Sequence, residues 1–297
     1  MSRPWTVLRT GAPIAALCCW GAATFVSAAQ PPEWTQRIPP FRIAPDIYYV
    51  GTKGLAAYLI TSKEGAILLD GTLEENASLI ERNIQAVGVP LKKVKLIVSD
   101  HAHSDHVGAI AQIKRDTGAR FDASAGDALA LERGRPRGDT DYVVTPFPPI
   151  KVDTVVHDGQ SVSVGDAVLT AHLTPGHTPG CTSWTTIVPD GNRRLRVLFL
   201  CSITVAGNIL VGNRAYPAIT VDFEQTFAKL ATMKADIVLT SHPGIADVLE
   251  RQARVEAGDR DAFIDPTALS GIVADSKANF ESALAKAQRT RHPNLTP

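Results

Sequence analysis

The chain has 297 residues, of which 44% are hydrophobic and 20% charged, enough apolar content for a substantial core in one large domain or two smaller ones. Its 30 basic and 30 acidic side chains give a formal net charge of zero. Nothing like the basic stripe that nucleic acid or an anionic membrane surface would select is present. The composition therefore excludes nucleic-acid binding and is typical of a soluble globular protein.

The first 29 residues have the order of a secretory signal peptide. Arg3 and Arg9 precede a mostly apolar stretch from Gly11 to Val26, and small residues follow at Ser27–Ala29. A transmembrane anchor is the alternative, which the short, Ala-rich run disfavours. We therefore expect export to the periplasm and a mature chain, residues 30–297, that is free of the membrane.

The first half of the mature chain begins with a proline-rich lead-in at residues 30–45. Three strand-like runs separated by turn residues then predict antiparallel neighbours: Ile47–Val50, Ala57–Ile60 and Ala66–Leu69. Apolar residues at helical spacing predict a helix over Ala77–Val87, which Gly88 and Pro90 end. A strand over Val94–Val98 and a helix from Val107 to about Lys114 follow.

The second half repeats this alternation. Five strands are predicted: Ser161–Val164, Val168–Leu173, Ser183–Val188, Arg196–Leu200 and Ile237–Leu239. Helices are predicted over Phe223–Met233 and Ser276–Ala287. Between the halves, Arg133–Pro149 is rich in Gly, Arg, Asp and Pro and predicts a long, mobile loop beside a functional site. Because no clear linker divides them, the halves predict one domain of two packed sheets with helices outside.

Only Cys181 and Cys201 remain after removal of the signal peptide. Two cysteines do not make a disulfide framework. They form either one bridge or two buried thiols, and the sequence leaves both possibilities open.

The most informative segment is the hexapeptide His101-Ala102-His103-Ser104-Asp105-His106, which closely follows a predicted strand. It holds three of the chain's eight histidines and one Asp, so four potential metal ligands fall within six residues. Zinc in proteins takes imidazole nitrogens and carboxylate oxygens at about 2.0–2.2 Å. A loop at a strand end can send such side chains to two neighbouring ions. The hexapeptide therefore predicts a metal site.

Two further histidines follow predicted strands, and their loops converge with the hexapeptide if the strands share a sheet edge. His177 lies in the rigid Pro- and Gly-rich turn Thr174–Gly180, and His242 lies in Ser241–Gly244. Each alone is typical of an ordinary loop histidine, but the hexapeptide reverses that interpretation. Two ligand sets result: His101, His103 and His177 for one ion, and Asp105, His106 and His242 for a second.

The two ligand sets predict two zinc ions per chain and a hydrolytic reaction. An open zinc position keeps a water whose pKa falls to about 7, so hydroxide is available at neutral pH. The second ion can stabilise negative charge on a leaving group, which suits hydrolysis of an acyl or phosphoryl bond. The remaining mature-chain histidines lack this context: we expect His172 to be structural, His292 to be solvated and His157 to lie outside the site.

The hexapeptide, Thr174–Gly180 and Ser241–Gly244 together resemble the metallo-β-lactamase superfamily, from about Tyr49 to the final helix. The resemblance implies an α/β fold, the αββα sandwich of two β-sheets flanked by helices, with a binuclear zinc centre at one sheet edge. The motif His-x-His-x-Asp-His is specific for the superfamily but not for a substrate, because thioesterases, lactonases, nucleases and β-lactamases all carry it.

The residues after the predicted strand Arg196–Leu200 separate the subfamilies. Thioesterases and lactonases place a bridging Asp there, whereas this chain has Cys201 and Ser202. Subclass B1 β-lactamases use a Cys ligand followed three residues later by Lys, and here that residue is Thr204. Subclass B3 places a Ser at the bridging position, which Ser202 matches; Cys201 as a soft ligand of the second zinc is the alternative. Other stretches also look like subclass B3: Phe41–Ile43, Tyr49–Thr52 and His177–Trp184.

The resemblance implies hydrolysis of the β-lactam ring of penicillins, cephalosporins and carbapenems by a metal-bound hydroxide, and hence antibiotic resistance. Asp105 would bind the second zinc and orient the hydroxide, and Ser202 and Thr204 would bind the substrate carboxylate. Asp70 would support a ligating histidine, and Arg133–Pro149 would roof the substrate. We expect a monomer whose only partner is a small-molecule β-lactam. The alternatives are an exported binuclear zinc hydrolase acting on a lactone or other ester-like substrate, and a non-catalytic zinc-binding protein.

Overall fold

A computed structural model describes residues 30–291 of the chain. Two β-sheets pack face to face and carry helices on their outer faces, which confirms the αββα sandwich. The expected signal peptide and His292 lie outside the described residues, so the division into a signal peptide and one mature domain stays a prediction. Within residues 30–291, no helix combines the length and apolar character needed to cross a membrane.

The first sheet has seven strands paired in chain order: β1 (Phe41–Ala44), β2 (Ile47–Tyr49), β3 (Tyr58–Thr61), β4 (Ala66–Leu69), β5 (Val94–Val98), β6 (Arg120–Ser124) and β7 (Thr154–Val156). The strands β1 to β4 form an antiparallel meander, whereas β4 to β7 run parallel. Parallel neighbours need crossover connections. Helices provide them: α1 (Ala77–Ala86), α2 (Ser104–Val107), α3 (Ile110–Thr117) and α4 (Ala125–Arg133).

The second sheet has five strands in the order β12-β11-β10-β9-β8. Their bounds are β8 (Ser161–Val164), β9 (Ala167–Leu173), β10 (Thr182–Asp190), β11 (Arg193–Leu200) and β12 (Ile237–Thr240). The strands β8 to β11 are antiparallel, and β12 joins β11 in parallel after α5 (Ile219–Leu230). Two helices follow: α6 (Val248–Glu256) and α7 (Ala268–Arg291).

Alternation along the buried strands builds the apolar layers. In β11, Val197 and Phe199 belong to the cluster between the sheets. The intervening Leu198 and Leu200 belong to the cluster under α5 and α7. Because both faces are covered, the strand reads as a continuous apolar run rather than as an alternating one. The same arrangement in β4 places a third layer under α1 and α3.

The helix expected from Val107 to about Lys114 is wrong in its bounds. The chain forms α2 and α3 instead, with a break at Gly108. The Ala109 N–H donates to the Thr72 carbonyl at 3.2 Å and so leaves the hydrogen-bond ladder of α2. A Cβ at Gly108 would lie 2.5 Å from the backbone nitrogen of Glu74, so the close approach of this segment requires a glycine there. The final helix is also longer than expected, and β1, β6, β7, α4 and α6 were not among the expected elements.

Residues 134–149 of the predicted segment Arg133–Pro149 form a loop after α4, and this loop is hydrogen-bonded to another at its centre. The Asp141 backbone N–H donates to the Gly207 carbonyl at 2.9 Å, and the Ile209 N–H donates to the Asp139 carbonyl at 2.9 Å. The two loops, residues 133–149 and 205–214, therefore pair along their backbones. Tyr142, the residue after Asp141, is half-exposed.

Cys181 and Cys201 form a disulfide, which decides the question that the sequence left open. The bridge joins the turn after His177 to the residue that follows β11, and both cysteines are fully buried. Cys201 as a soft metal ligand is therefore wrong for this structure, because its sulfur is bonded to Cys181.

The disulfide closes a loop of about 20 residues, and removing it should lower the free energy of unfolding by about 2–4 kcal/mol because the unbridged unfolded chain is less constrained. We expect this loss in the double variant Cys181→Ser/Cys201→Ser, measured by urea denaturation of the metal-free protein. A thiol reductant should destabilise the native chain by a similar amount and leave the double variant unchanged. Equal denaturation midpoints for the two proteins would contradict the prediction.

Candidate metal centre

The expected site residues follow the carboxyl ends of strands that point toward the same edge of the sandwich. These strands are β4, β5, β9, β11 and β12, and they precede Asp70, the hexapeptide, His177, Ser202 and His242 respectively. Backbone hydrogen bonds join the loops of the two sheets. The Thr182 N–H donates to the Asp100 carbonyl at 2.8 Å, and the Ala56 N–H donates to the Ser241 carbonyl at 2.9 Å.

The first metal group consists of His101, His103 and His177. The Nδ1 atom of His103 lies 3.1 Å from the Nε2 atoms of both His101 and His177. Tetrahedral coordination at 2.0–2.1 Å places ligand nitrogens roughly 3.3 Å apart. The three rings therefore already have the spacing that one zinc ion requires.

The second metal group consists of Asp105, His106 and His242. The Oδ2 atom of Asp105 lies 3.2 Å from His106 Nε2 and 3.3 Å from His242 Nε2. The rings of His101 and His106 are 4.3 Å apart between centroids, so the two groups are neighbours. The structure thus brings all six expected ligands into two adjacent clusters.

Hydrogen bonds to the outer ring nitrogens fix how the first group presents its lone pairs. His177 Nδ1 lies 2.8 Å from the Thr204 carbonyl, which can only accept, so this nitrogen carries the hydrogen. His101 Nδ1 lies 2.9 Å from a carboxylate oxygen of Asp100, with the same consequence. The Nε2 lone pairs of both rings therefore face His103 Nδ1, which carries one hydrogen at most, whereas a cation would satisfy all three nitrogens.

Two buried carboxylates, Asp70 and Asp100, lie beside the ligating histidines. Asp70 Oδ1 accepts the backbone N–H of Asp100 at 2.9 Å, and an Asp100 carboxylate oxygen lies 2.9 Å from His101 Nδ1. Asp70 also shares a buried cluster with Asp100 and His106, so its carboxylate lies near a ligating histidine. The sequence places Asp100 directly before His101, and this adjacency was the available signal for its role.

Burial keeps two rings of the first group uncharged. Burial and the neighbouring His101 lower the pKa of His177 to about 3. Burial, with His101 and His177, holds the pKa of His103 well below its ordinary value. Neutral imidazoles are the form that binds a metal, so His103 and His177 need no proton loss at neutral pH.

The second group carries opposite charges. Burial by itself lowers the pKa of His106, but the carboxylates of Asp105 and Asp100 outweigh it and raise that pKa to about 10. Burial would raise the pKa of Asp105, yet the charge and hydrogen bond of His106 hold it well below the ordinary range. His106 must therefore release a proton when a metal binds at this group.

Ser202 and Thr204 lie beside the first group. Their hydroxyl oxygens are 3.0 Å apart, and the Thr204 carbonyl is the acceptor for His177. The side chain of Asn208 donates to the His177 carbonyl at 3.1 Å, which ties the same loop to this histidine. The segment of residues 202–208 therefore carries the hydroxyl pair and also contacts His177 of the first group.

Besides Asp100, sequence reasoning missed Asp127 and Trp34 at this centre. Asp127, in α4, accepts hydrogen bonds from both loops that carry the first group. The ring of Trp34 lies 5.6 Å from that of His242, between centroids, at the rim of the second group. Neither carries a local signal, because Asp127 sits in an unexpected helix and Trp34 in the proline-rich lead-in.

Two other histidines lie outside both groups. His172 Nε2 lies 2.8 Å from the Thr185 hydroxyl on the neighbouring strand, which fits the structural role expected for it. His157 is exposed, and no metal group of the described residues includes it.

Known proteins share this arrangement of the chain. A sequence model described as the Metallo-beta-lactamase superfamily matches residues 53–242. BJP-1, a subclass B3 metallo-beta-lactamase of Bradyrhizobium japonicum, is 41% identical with a TM-score of 0.83, and the match covers 87% of this chain and 98% of that one. The FEZ-1 metallo-beta-lactamase from Legionella gormanii is 36% identical with a TM-score of 0.82, covering 86% and 98%.

Matches to curated proteins are partial. The Bacillus subtilis protein YobT is 31% identical over 137 residues, which are 43% of this chain and 54% of YobT. The chain spans about half the length of the curated relatives it matches.

The two groups differ in the protonation of their histidines, and this difference predicts different pH dependences of zinc binding. Below the His106 pKa of about 10, each unit of acidification should weaken binding at the second group about tenfold, because one more proton competes. The first group should change less, because His177, with a pKa of about 3, carries no proton that competes in this range. Zinc titrations between about pH 6 and 8 measure both slopes. The variant His172→Gln should reproduce the native slopes, and equal slopes for the two ions would contradict the prediction.

Proposed function

The chain belongs to the metallo-beta-lactamase superfamily, and on that premise we propose that it hydrolyses the β-lactam ring of penicillins, cephalosporins and carbapenems. Similarity to subclass B3 enzymes over nearly their whole length supports this substrate class. The proposal includes two zinc ions per chain, action as a monomer in the periplasm, and a resulting resistance to these antibiotics.

The observation that carries the proposal is the hydroxyl pair of Ser202 and Thr204 at the end of β11. Their oxygens lie 3.0 Å apart, on the segment whose Thr204 carbonyl holds His177. Hydroxyl groups donate to carboxylates, and the three antibiotic classes carry a carboxylate beside the lactam nitrogen. No Asp occupies the positions after β11, where a bridging carboxylate would favour thioesterase or lactonase chemistry.

The donor set fits zinc, since it consists of imidazoles and one carboxylate at tetrahedral spacing. When bound, zinc supplies a Lewis acid for the lactam carbonyl and lowers the pKa of water to about 7. The chain's residues do the positioning. Ser202 and Thr204 would fix the substrate through its carboxylate, which brings the lactam carbonyl toward the first group.

Asp105 has the geometry to orient the attacking water. Its carboxylate is ionised at neutral pH because His106 holds its pKa well below the ordinary range. Its Oδ2 faces the rings of His106 and His242. The other carboxylate oxygen would accept a hydrogen bond from the water that attacks the lactam carbonyl, and this acceptor fixes the direction of attack.

The reaction is tested by a substrate panel. Purified, zinc-loaded protein should open carbapenem, cephalosporin and penicillin rings with a kcat/KM well above its values for a lactone and a thioester. A chelator should abolish turnover and zinc should restore it, whereas inhibitors directed at a serine nucleophile should have no effect. Chelator-resistant turnover would contradict a metal-dependent reaction. A higher kcat/KM for the lactone would favour a hydrolase of lactones or other ester-like substrates. A zinc-loaded protein that turns over none of these substrates would favour a non-catalytic zinc-binding protein.

The carboxylate role is tested by the double variant Ser202→Ala/Thr204→Val. Hydrogen bonds to a charged group contribute about 1.5–3 kcal/mol, so KM should rise by about 10–100-fold. The native enzyme should prefer a cephalosporin over its carboxylate ester, and the variant should lose that preference. Both proteins should keep two zinc ions, whereas His242→Ala should lose the second. Loss of zinc from the double variant, or an unchanged preference, would contradict the assignment.

A further inference from the structure

The carboxylate of Asp127 joins the two loops that carry the first metal group. One oxygen, Oδ2, accepts the backbone N–H of Ala102 at 2.9 Å and the hydroxyl of Thr178 at 2.8 Å. Ala102 lies between His101 and His103, and Thr178 directly follows His177. The other oxygen, Oδ1, accepts the backbone N–H of Gly180 at 2.9 Å. Only 3% of Asp127 is exposed, so these contacts are shielded from water.

These loops belong to different sheets. The loop of His101 and His103 follows β5 in the first sheet, and the loop of His177 lies between β9 and β10 in the second. The spacing of the three ring nitrogens therefore depends on how the two sheet edges are held against each other. Asp127 contacts both edges with a single oxygen atom.

The backbones of the two segments around Asp127 approach each other closely. A Cβ at Gly126 would lie 2.3 Å from the Pro179 carbonyl oxygen, and one at Gly180 would lie 2.3 Å from the Asp127 backbone nitrogen. The Ser124 hydroxyl also donates to the Gly180 carbonyl at 2.6 Å. The start of α4 and the turn after His177 thus touch backbone to backbone.

We propose that Asp127 is a positioning residue that locks the two loops of the first metal group together and so sets the affinity of that group for its metal. The inference rests on the proposed function only in requiring that the first group bind zinc. Asp127 touches no ligand ring. It acts through Ala102 and Thr178, and removing such an outer partner costs about 10–100-fold in metal affinity.

The second group has a separate support, which makes the effect selective. The backbone N–H groups of Gly71 and Thr72 donate to the His106 carbonyl at 2.7 and 3.0 Å. This contact does not involve Asp127. Loss of the Asp127 carboxylate should therefore weaken the first group and leave the second group nearly unchanged.

Three variants test the proposal: Asp127→Ala, Asp127→Asn and Thr178→Val. Zinc dissociation constants are measured by competition with a chromophoric chelator, and the ligand field is followed by the d–d spectrum of the cobalt-substituted protein. Asp127→Ala should weaken the first site by about 10–100-fold and alter its cobalt spectrum. Asp127→Asn should lose less, because its single carbonyl oxygen can still accept from Ala102 and Thr178.

Thr178→Val keeps the shape of the side chain and removes only its hydroxyl. It should weaken the first site, and the double variant with Asp127→Ala should lose less than the sum of the two single losses, because both changes break one shared contact. Additive losses would overturn the proposal. So would first-site affinities for Asp127→Ala and Thr178→Val that both equal the native value. If Asp127→Ala fails to fold, the Thr178→Val measurement and its cobalt spectrum still decide.

The matched control is Asp122→Asn. Asp122 is as buried as Asp127 and lies in the preceding strand β6, but its carboxylate pairs with Arg120 and contacts neither ligand loop. Asp122→Asn should lower the free energy of unfolding without changing the zinc affinity of the first site. A loss of first-site affinity equal to that of Asp127→Ala would overturn the proposal. Native protein that binds zinc but opens no β-lactam would contradict the proposed function alone, and the affinity measurements would still test Asp127.

Discussion

The constraint on which the rest of the structure depends is a trio of imidazole nitrogens, in which His103 Nδ1 lies 3.1 Å from the Nε2 atoms of both His101 and His177. Burial keeps His103 and His177 neutral by lowering their pKa values, and one hydrogen on His103 cannot satisfy both facing lone pairs without a cation. The remainder of the chain offsets this unfavourable arrangement. The packed sheets supply the hydrophobic free energy, and the Thr204 carbonyl and the Asp100 carboxylate fix the ring tautomers.

The two metal groups differ in charge and in the contacts that fix their geometry. In the first, His103 and His177 are neutral, and the geometry depends on contacts between loops of two sheets. The second is an ion pair, in which Asp105 and His106 hold each other charged, and its ligands come from α2 and the turn after β12. A neutral site that is preorganised binds metal without moving protons, whereas a charged one must exchange a proton for its ion. Because the two groups are adjacent, we expect one centre to bind its two metal ions with different dependences on pH.

Much of the fold could be predicted from the sequence because the signals for its elements are local. Apolar runs mark the strands that are buried on both faces, and the spacing within His101–His106 places four ligands in one loop. What could not be predicted depends on contacts between distant segments. The break between α2 and α3 lies where the Ala109 N–H donates to the distant Thr72 carbonyl, and Asp127 matters because two loops from different sheets reach it. Which histidine Asp70 stands beside also depends on such contacts, since it shares one buried cluster with Asp100 and His106.

The disulfide has a consequence for how this fold can diversify. Cys201 is buried beneath the centre while the next residue, Ser202, carries its hydroxyl beside Thr204 at the cleft. Successive residues at a strand end point to opposite sides, and a shift of one residue exchanges them. A single insertion in the hairpin between β10 and β11 would therefore present sulfur where oxygen now stands. One residue of register separates a cleft lined by a hydroxyl from one that offers a thiolate to a metal.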